Sequence, residues 1–272
     1  MIRYPGVRGV GHTGRERVIG MQRARRLAST AVVAVLAVAG LSACRADPGV
    51  AAYLGGGETI TRAEVDKIYE QARKDVDEAR EQAPPAAPGA SSQATPPVEV
   101  PFKQKDVLNA LLTNKVLEQS ATAKGVQAAA QPTAEQIAQG SGLSPEWEYT
   151  KLYVRSLQLR EALLPKATPA PLTDADLRPV YDQLLAGGAS DPTPYEDFKS
   201  QLSEQNKQAL GQSIGLRNEL SEIVAKANVK VNPRYGDQQL ILLAAQAGNA
   251  NVPLVQVSLA GAAESPSVTD VS

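Results

Sequence analysis

Histidine and cysteine each occur once in this chain of 272 residues, as His12 and Cys44, so every position after 44 lacks both. Chemistry that needs an imidazole base, a Cys/His couple or a zinc site made from those ligands has no residues to use there. A single cysteine also excludes a disulfide within the chain. Aromatic residues are scarce, with one Trp, two Phe and eight Tyr. No glycine loop suited to nucleotides is present, because Gly55-Gly56-Gly57 lacks the lysine and the spacing of a P-loop. What is there suits a folded chain: 43% apolar and 21% charged residues, despite 19 Pro and 21 Gly. The length fits one or two domains.

The first part of the chain reads as an export signal. From Met21 the sequence runs MQRARRLASTAVVAVLAVAGLSAC, three arginines followed by an unbroken small and apolar stretch from Ala31 to Leu41. A spanning helix needs about 20 apolar residues, and Leu27 to Ala43 is shorter and carries Ser29, Thr30 and Ser42. Residues 1–43 are therefore expected to be a signal peptide, with Met21 the true start. Leu41-Ser42-Ala43-Cys44 closes the apolar run and resembles the bacterial lipobox, which implies acylation of Cys44. Two acyl chains on one residue give stable anchoring where one is marginal. Residues 44–48 would be a lipidated tether, placing the remainder on the outer face of the cytoplasmic membrane. Without residues 1–43 the chain has 21 basic and 28 acidic side chains, a net charge of −7. Nucleic acid is not an expected partner of so acidic a domain.

Val50 to Leu54 reads as a strand and Gly55 to Gly57 as a turn. Thr61 and Glu64 then stand in capping-box spacing, with Ile60 and Val65 in staple positions, before a helix to about Gln82. Residues 83–101 hold six prolines and almost nothing large to bury, so a disordered or extended insertion is expected. Apolar periodicity predicts a second helix from Lys103 to Gly125, and a short helix from Thr133 to Gln139. A long one opens with Ser144 as N-cap and ends at Pro165. Thr173 with Asp176 caps the next, ended by Gly187-Gly188. A single long helix is expected from Tyr195 to Ala227. Val229 to Val231 alternates as a strand ended by Asn232-Pro233, and residues 237–272 are expected to be a mostly disordered tail.

This order resembles the SurA/PrsA class of bacterial extracytoplasmic chaperones. The opening match is Val50-Ala51-Ala52-Tyr53-Leu54 with Thr59-Ile60-Thr61-Arg62-Ala63-Glu64-Val65-Asp66. The closing match is Val229-Lys230-Val231-Asn232-Pro233-Arg234-Tyr235-Gly236, and Leu172 to Leu177 with Tyr181 resembles the step after the first helical section. The resemblance implies a mainly α SurA N-terminal-like helical domain over residues 49–236, closed by a short pairing of its N- and C-terminal strands. Many members insert a parvulin-type prolyl isomerase domain where this chain has only Gly187 to Pro194. With eight residues there and no histidine after residue 44, isomerase activity is not expected.

The expected role is an ATP-independent, membrane-tethered chaperone or folding factor whose partners are unfolded or nascent exported polypeptides and, through acylated Cys44, the lipid bilayer. The alternative is a lipoprotein adaptor that binds one dedicated envelope partner with the same fold. Trp147, Tyr181, Tyr195 and Phe198 are the candidate client contacts, each weighed against a place in the core. Asp75, Asp77, Glu78 and Glu81 lie on a helical period with no turn glycine, a solvated face rather than a metal site. No catalytic residue, metal or cofactor is expected.

Overall fold

Val50 to Tyr53 form a strand, β1, whose two central residues Ala51 and Ala52 are fully buried, small side chains that let neighbouring backbone come close. The structure is a computed structural model, and it describes residues 47–82, 99–188, 193–248 and 250–260. The expected signal segment, Cys44, the Pro-rich stretch 83–98 and residues 261–272 lie outside the described residues. The chain is mainly α-helical with two small antiparallel sheets.

In the first sheet β1 is central. It pairs with β2 (Thr59–Thr61) on one side and with β3 (Lys230–Val231) on the other, in the register Ala52 to Val231 and Tyr53 to Lys230. The expected joining of the two distant strands is thus present. No strand is expected over residues 59–61, yet Ile60 is buried between two exposed threonines, the alternation of a half-buried strand. Gly55 follows β1 where a Cβ would stand 3.0 Å from the Ala227 carbonyl, so the turn lies directly on the end of the last helix.

Thr61 ends β2 and starts α1 (Arg62–Glu81), its hydroxyl accepting the Glu64 N–H at 3.1 Å. Val65, Ile68, Ala72 and Val76 are its buried stripe. The next helix, α2 (Gln104–Lys124), is buried on several sides, as its unbroken apolar content demands, and packs against α1, α4 (Glu148–Leu163) and α7 (Glu204–Ala227). Buried Asn114 of α2 donates from Nδ2 to the carbonyls of Ala110 and Leu152, both at 2.8 Å, tying α2 to α4. Between them lies α3 (Ala134–Ser141), with the expected Thr133 and Gln136 capping box.

Two helix boundaries differ from expectation. Ser144 does not cap α4: its Oγ accepts the Glu146 N–H at 3.3 Å in a local turn, and Trp147 holds the N-cap position with extended backbone. The single helix expected over Tyr195 to Ala227 is two, α6 (Tyr195–Gln201) and α7, because Leu202 turns extended and Ser203 caps α7 by accepting the Asn206 N–H at 3.2 Å. Helix α5 (Asp174–Ala186) begins at the expected Thr173 cap. Ahead of it, the segment around Thr168 to Ala170 crosses α7 at Gly211 and Gly215, with the Ala170 N–H bonded to the Gly211 carbonyl at 2.9 Å.

The largest departure is in the segment after Gly236. Most of what was expected to be disordered tail is a hairpin, β4 (Gln239–Ala247) and β5 (Ala250–Ser258), whose Leu240, Leu242, Val255 and Val257, with Leu259, belong to the core. Burying side chains of this size contributes about 1.5–3 kcal/mol each, enough to order a hairpin that would be marginal alone. Pro253 sits opposite Ala244 where the register shifts, a place where a missing N–H is tolerated. At the tip, a Cβ on Gly187 would lie 2.7 Å from Val252, so the end of α5 and the hairpin fit only because glycine is there.

Candidate functional site

A groove of about 600 Å³ opens between α2 and α4 on one side and β4 on the other. Its α2 side carries Asp106, Asn109, Ala110 and Thr113, and its α4 side carries Tyr149, Tyr153, Leu157, Arg160 and Glu161. The residues of α4 recur at intervals of three and four and so share one face of the helix. On the other wall, six consecutive residues from Gln239 to Ala244 line the space.

A strand edge forms that wall. The Gln238 carbonyl accepts from Leu259 N–H across the hairpin at 2.8 Å, and the alternation of an antiparallel ladder then turns Gln239 and Ile241 outward. Their carbonyls accept from Asn109 Nδ2 at 2.9 Å and from Arg160 Nη1 at 3.1 Å. Two side chains from two helices thus grip the edge of β4.

Across this space stand Tyr153, 39% exposed, and Ile241, 42% exposed, the two large hydrophobic side chains that are exposed among the described residues. Tyr153 ends an aromatic ladder. Its ring stacks on Tyr149 at 6.3 Å between centroids, Tyr149 stacks on buried Phe102 at 3.9 Å, and Phe102 meets Tyr69 and Trp147 edge-on. The ladder fixes the orientation of a ring that has solvent on one side. Burial pushes the Tyr149 phenol up to about 12, helped by the charge of Asp106 and by Tyr153. Phenols, amides, carboxylates and aliphatic groups gathered on a groove suit noncovalent holding of a polypeptide segment.

The four sequence-expected contacts lie elsewhere. Trp147 is 5% exposed, packs on Phe102 and donates from its indole Nε1 to Asp75 Oδ2 at 3.0 Å. Tyr195 is buried as well, with its hydroxyl donating to Asp174 Oδ1 at 3.1 Å and the Arg178 guanidinium 3.8 Å from its ring centroid. Tyr181 and Phe198 are half-buried beside it, and the Tyr181 hydroxyl donates to the Thr193 carbonyl at 2.8 Å. The structure therefore gathers Tyr181, Tyr195 and Phe198 into one cluster that joins α5 to α6, and leaves Trp147 apart from it. In this conformation Trp147 and Tyr195 present almost no surface to a ligand. Asp75, Asp77, Glu78 and Glu81 stay on α1, and no group of acidic, histidine or cysteine side chains among the described residues could hold a metal ion.

Tyr153 and Ile241 were missed for different reasons. On α4, Val154, Leu159 and Leu163 are buried in the core and Tyr149 and Leu152 pack against it, while Tyr153 and Leu157 extend the Tyr149 stripe into the groove, more apolar surface than the core can cover. That surplus was legible. Ile241 lay in the segment taken for a tail, where the signal was the Gly248-Asn249 dipeptide between two apolar runs, a hairpin turn sequence.

No protein-family profile, characterised protein or solved structure gives a significant match to this chain. Among the described residues no helix is long and apolar enough to cross a membrane.

Proposed function

We propose that this chain is an ATP-independent chaperone or folding factor for exported polypeptides, tethered by acylated Cys44 to the outer face of the cytoplasmic membrane. The observation that carries the reading is the facing of Tyr153 and Ile241 across one groove, an exposed apolar pair held open by a fixed aromatic ladder on one wall and a strand edge on the other. Exposed apolar surface gathered in a concavity marks an interaction site. The SurA N-terminal-like assignment of the fold is supported by the strand and helix-cap residues that carry the resemblance, since β1, β2 and β3 bring both of its ends into one sheet. Isomerase activity is no part of the proposal.

The second reading, an adaptor for one envelope partner, draws on the polar share of the same groove. Asp106, Asn109, Arg160 and Glu161 are placed among the apolar residues, and polar groups at fixed positions favour selection over promiscuity.

The deciding experiment follows aggregation of several unrelated denatured proteins in the presence of the chain. Aggregation is expected to slow in proportion to added chain, and Tyr153→Ser with Ile241→Ser is expected to remove the effect while leaving the melting temperature near its original value. Absence of protection for every client overturns the chaperone reading in favour of the adaptor.

A further inference from the structure

We propose that the groove selects extended segments in which apolar side chains are flanked by lysine or arginine at the end that meets Asp106, an inference that rests on the groove being the client site. The charged residues in the lining are Asp106, Arg160 and Glu161. Arg160 donates to the Ile241 carbonyl, which holds it against the strand with its charge intact, next to Glu161 in the chain. The two carboxylates have no ion-pair partner among the described residues. Asp106 Oδ2 accepts the Lys103 backbone N–H at 2.8 Å, which positions the carboxylate without neutralising it.

These carboxylates stand at opposite ends of the groove. Asp106 is at the Tyr149 end, where its charge acts on the phenol. Glu161 is on α4 three turns further on, twelve residues after Tyr149, a separation of about 18 Å at 1.5 Å per residue. An extended chain covers that length in about six residues. Between the ends lie Tyr153, Leu157 and Ile241, so apolar side chains match the middle and a cation matches the Asp106 end, whereas at the other end Arg160 stands beside Glu161. A cation over the open face of the Tyr153 ring gains further attraction from its π-system. An acidic residue at the Asp106 end would bring like charges together and is rejected.

The test uses a labelled peptide, Lys-Ser-Leu-Ser-Leu, whose lysine and leucines share one face of an extended chain, and a second with glutamate in place of the lysine, each titrated with the full chain by fluorescence anisotropy at low and at high salt. The lysine peptide is expected to bind at least tenfold more tightly at low salt, with the difference shrinking as salt screens the charges. Tyr153→Ala is expected to weaken both peptides. Asp106→Asn, which leaves Arg160 and Glu161 to offset each other, should make the two bind alike, with an unchanged melting temperature showing that the fold is intact. Equal binding of the two peptides to the unaltered chain, or binding of neither, overturns the inference. If selectivity is absent but the chain still slows aggregation of unrelated clients, only this inference falls. If the lysine peptide binds selectively and no client is protected, the chaperone reading falls and charge selection at the groove stands.

Discussion

The Asn232 side chain donates from Nδ2 to the Val50 carbonyl at 3.1 Å, a bond between residues 182 positions apart. The Asn232 backbone N–H also bonds the Ala51 carbonyl at 2.9 Å, and its Oδ1 accepts from Arg234 N–H at 3.2 Å. One residue thus extends the β1 and β3 pairing and turns the chain out of it. Asn232→Ala leaves the Val50 carbonyl without this partner and frees the turn. A loss of about 1–2 kcal/mol in denaturant unfolding is expected, whereas Asn218→Ala on the exposed side of α7 should cost far less.

The hairpin changes what a truncation does. Sequence alone places a boundary near residue 236, beyond which removal should be harmless. With Leu240, Leu242, Val255, Val257 and Leu259 all in the core, a chain ending at Gly236 should instead lose several degrees of melting temperature and bind a hydrophobic dye. A melting temperature equal to that of the full chain would show that the helices hold together without β4 and β5.

Gly215 offers a test whose sign opposes helix propensity. In an exposed helix, Gly→Ala stabilises by about 0.5–1 kcal/mol. Here a Cβ would lie 2.0 Å from the Thr168 carbonyl oxygen, against 3.1 Å from the Ala170 oxygen for Gly211. Gly215→Ala is expected to destabilise by about 1–3 kcal/mol through overpacking, and Gly211→Ala by less, both read from thermal melts.

The Tyr149 phenol, pushed up to about 12 by burial, gives a pH dependence of definite sign. Its unfolded value is about 10, so the folded state holds the proton more tightly. The contribution is fully present below about pH 10 and is lost as pH rises through about 12. Tyr149→Phe, which has no proton to lose, should therefore flatten part of the fall in stability across that window, on the order of 1–2 kcal/mol after solvent screening. Parallel curves for the two chains would show that this phenol is not involved.

Cys44 is the test of anchoring. Cys44→Ala is expected to abolish acylation and move the protein from the membrane fraction to the medium. Unchanged membrane retention would sink the lipid-anchor proposal.

Local rules read this chain well wherever the partner of a residue is a near neighbour. Thr61, Thr133 and Thr173 cap their helices from three residues away, and the apolar stripe of α1 follows from its own period. The strand at Val50 was signalled by a short apolar run before a glycine turn and the one at Lys230 by alternation, and their pairing was expected from the resemblance. Ser144 and Ser203 show the limit even of local reading, because a hydroxyl that can cap can also make a turn or split a helix. Local sequence signalled the surplus apolar face of α4 and the hairpin turn, but that the two meet as a groove was decided by tertiary structure. Nothing local makes the Ile241 carbonyl the partner of Arg160, or distinguishes Tyr153, whose ring stays exposed, from Trp147, whose ring is buried on Phe102. Burial is a property of what the whole chain packs against a side chain, and periodicity reports only the direction in which that side chain can point.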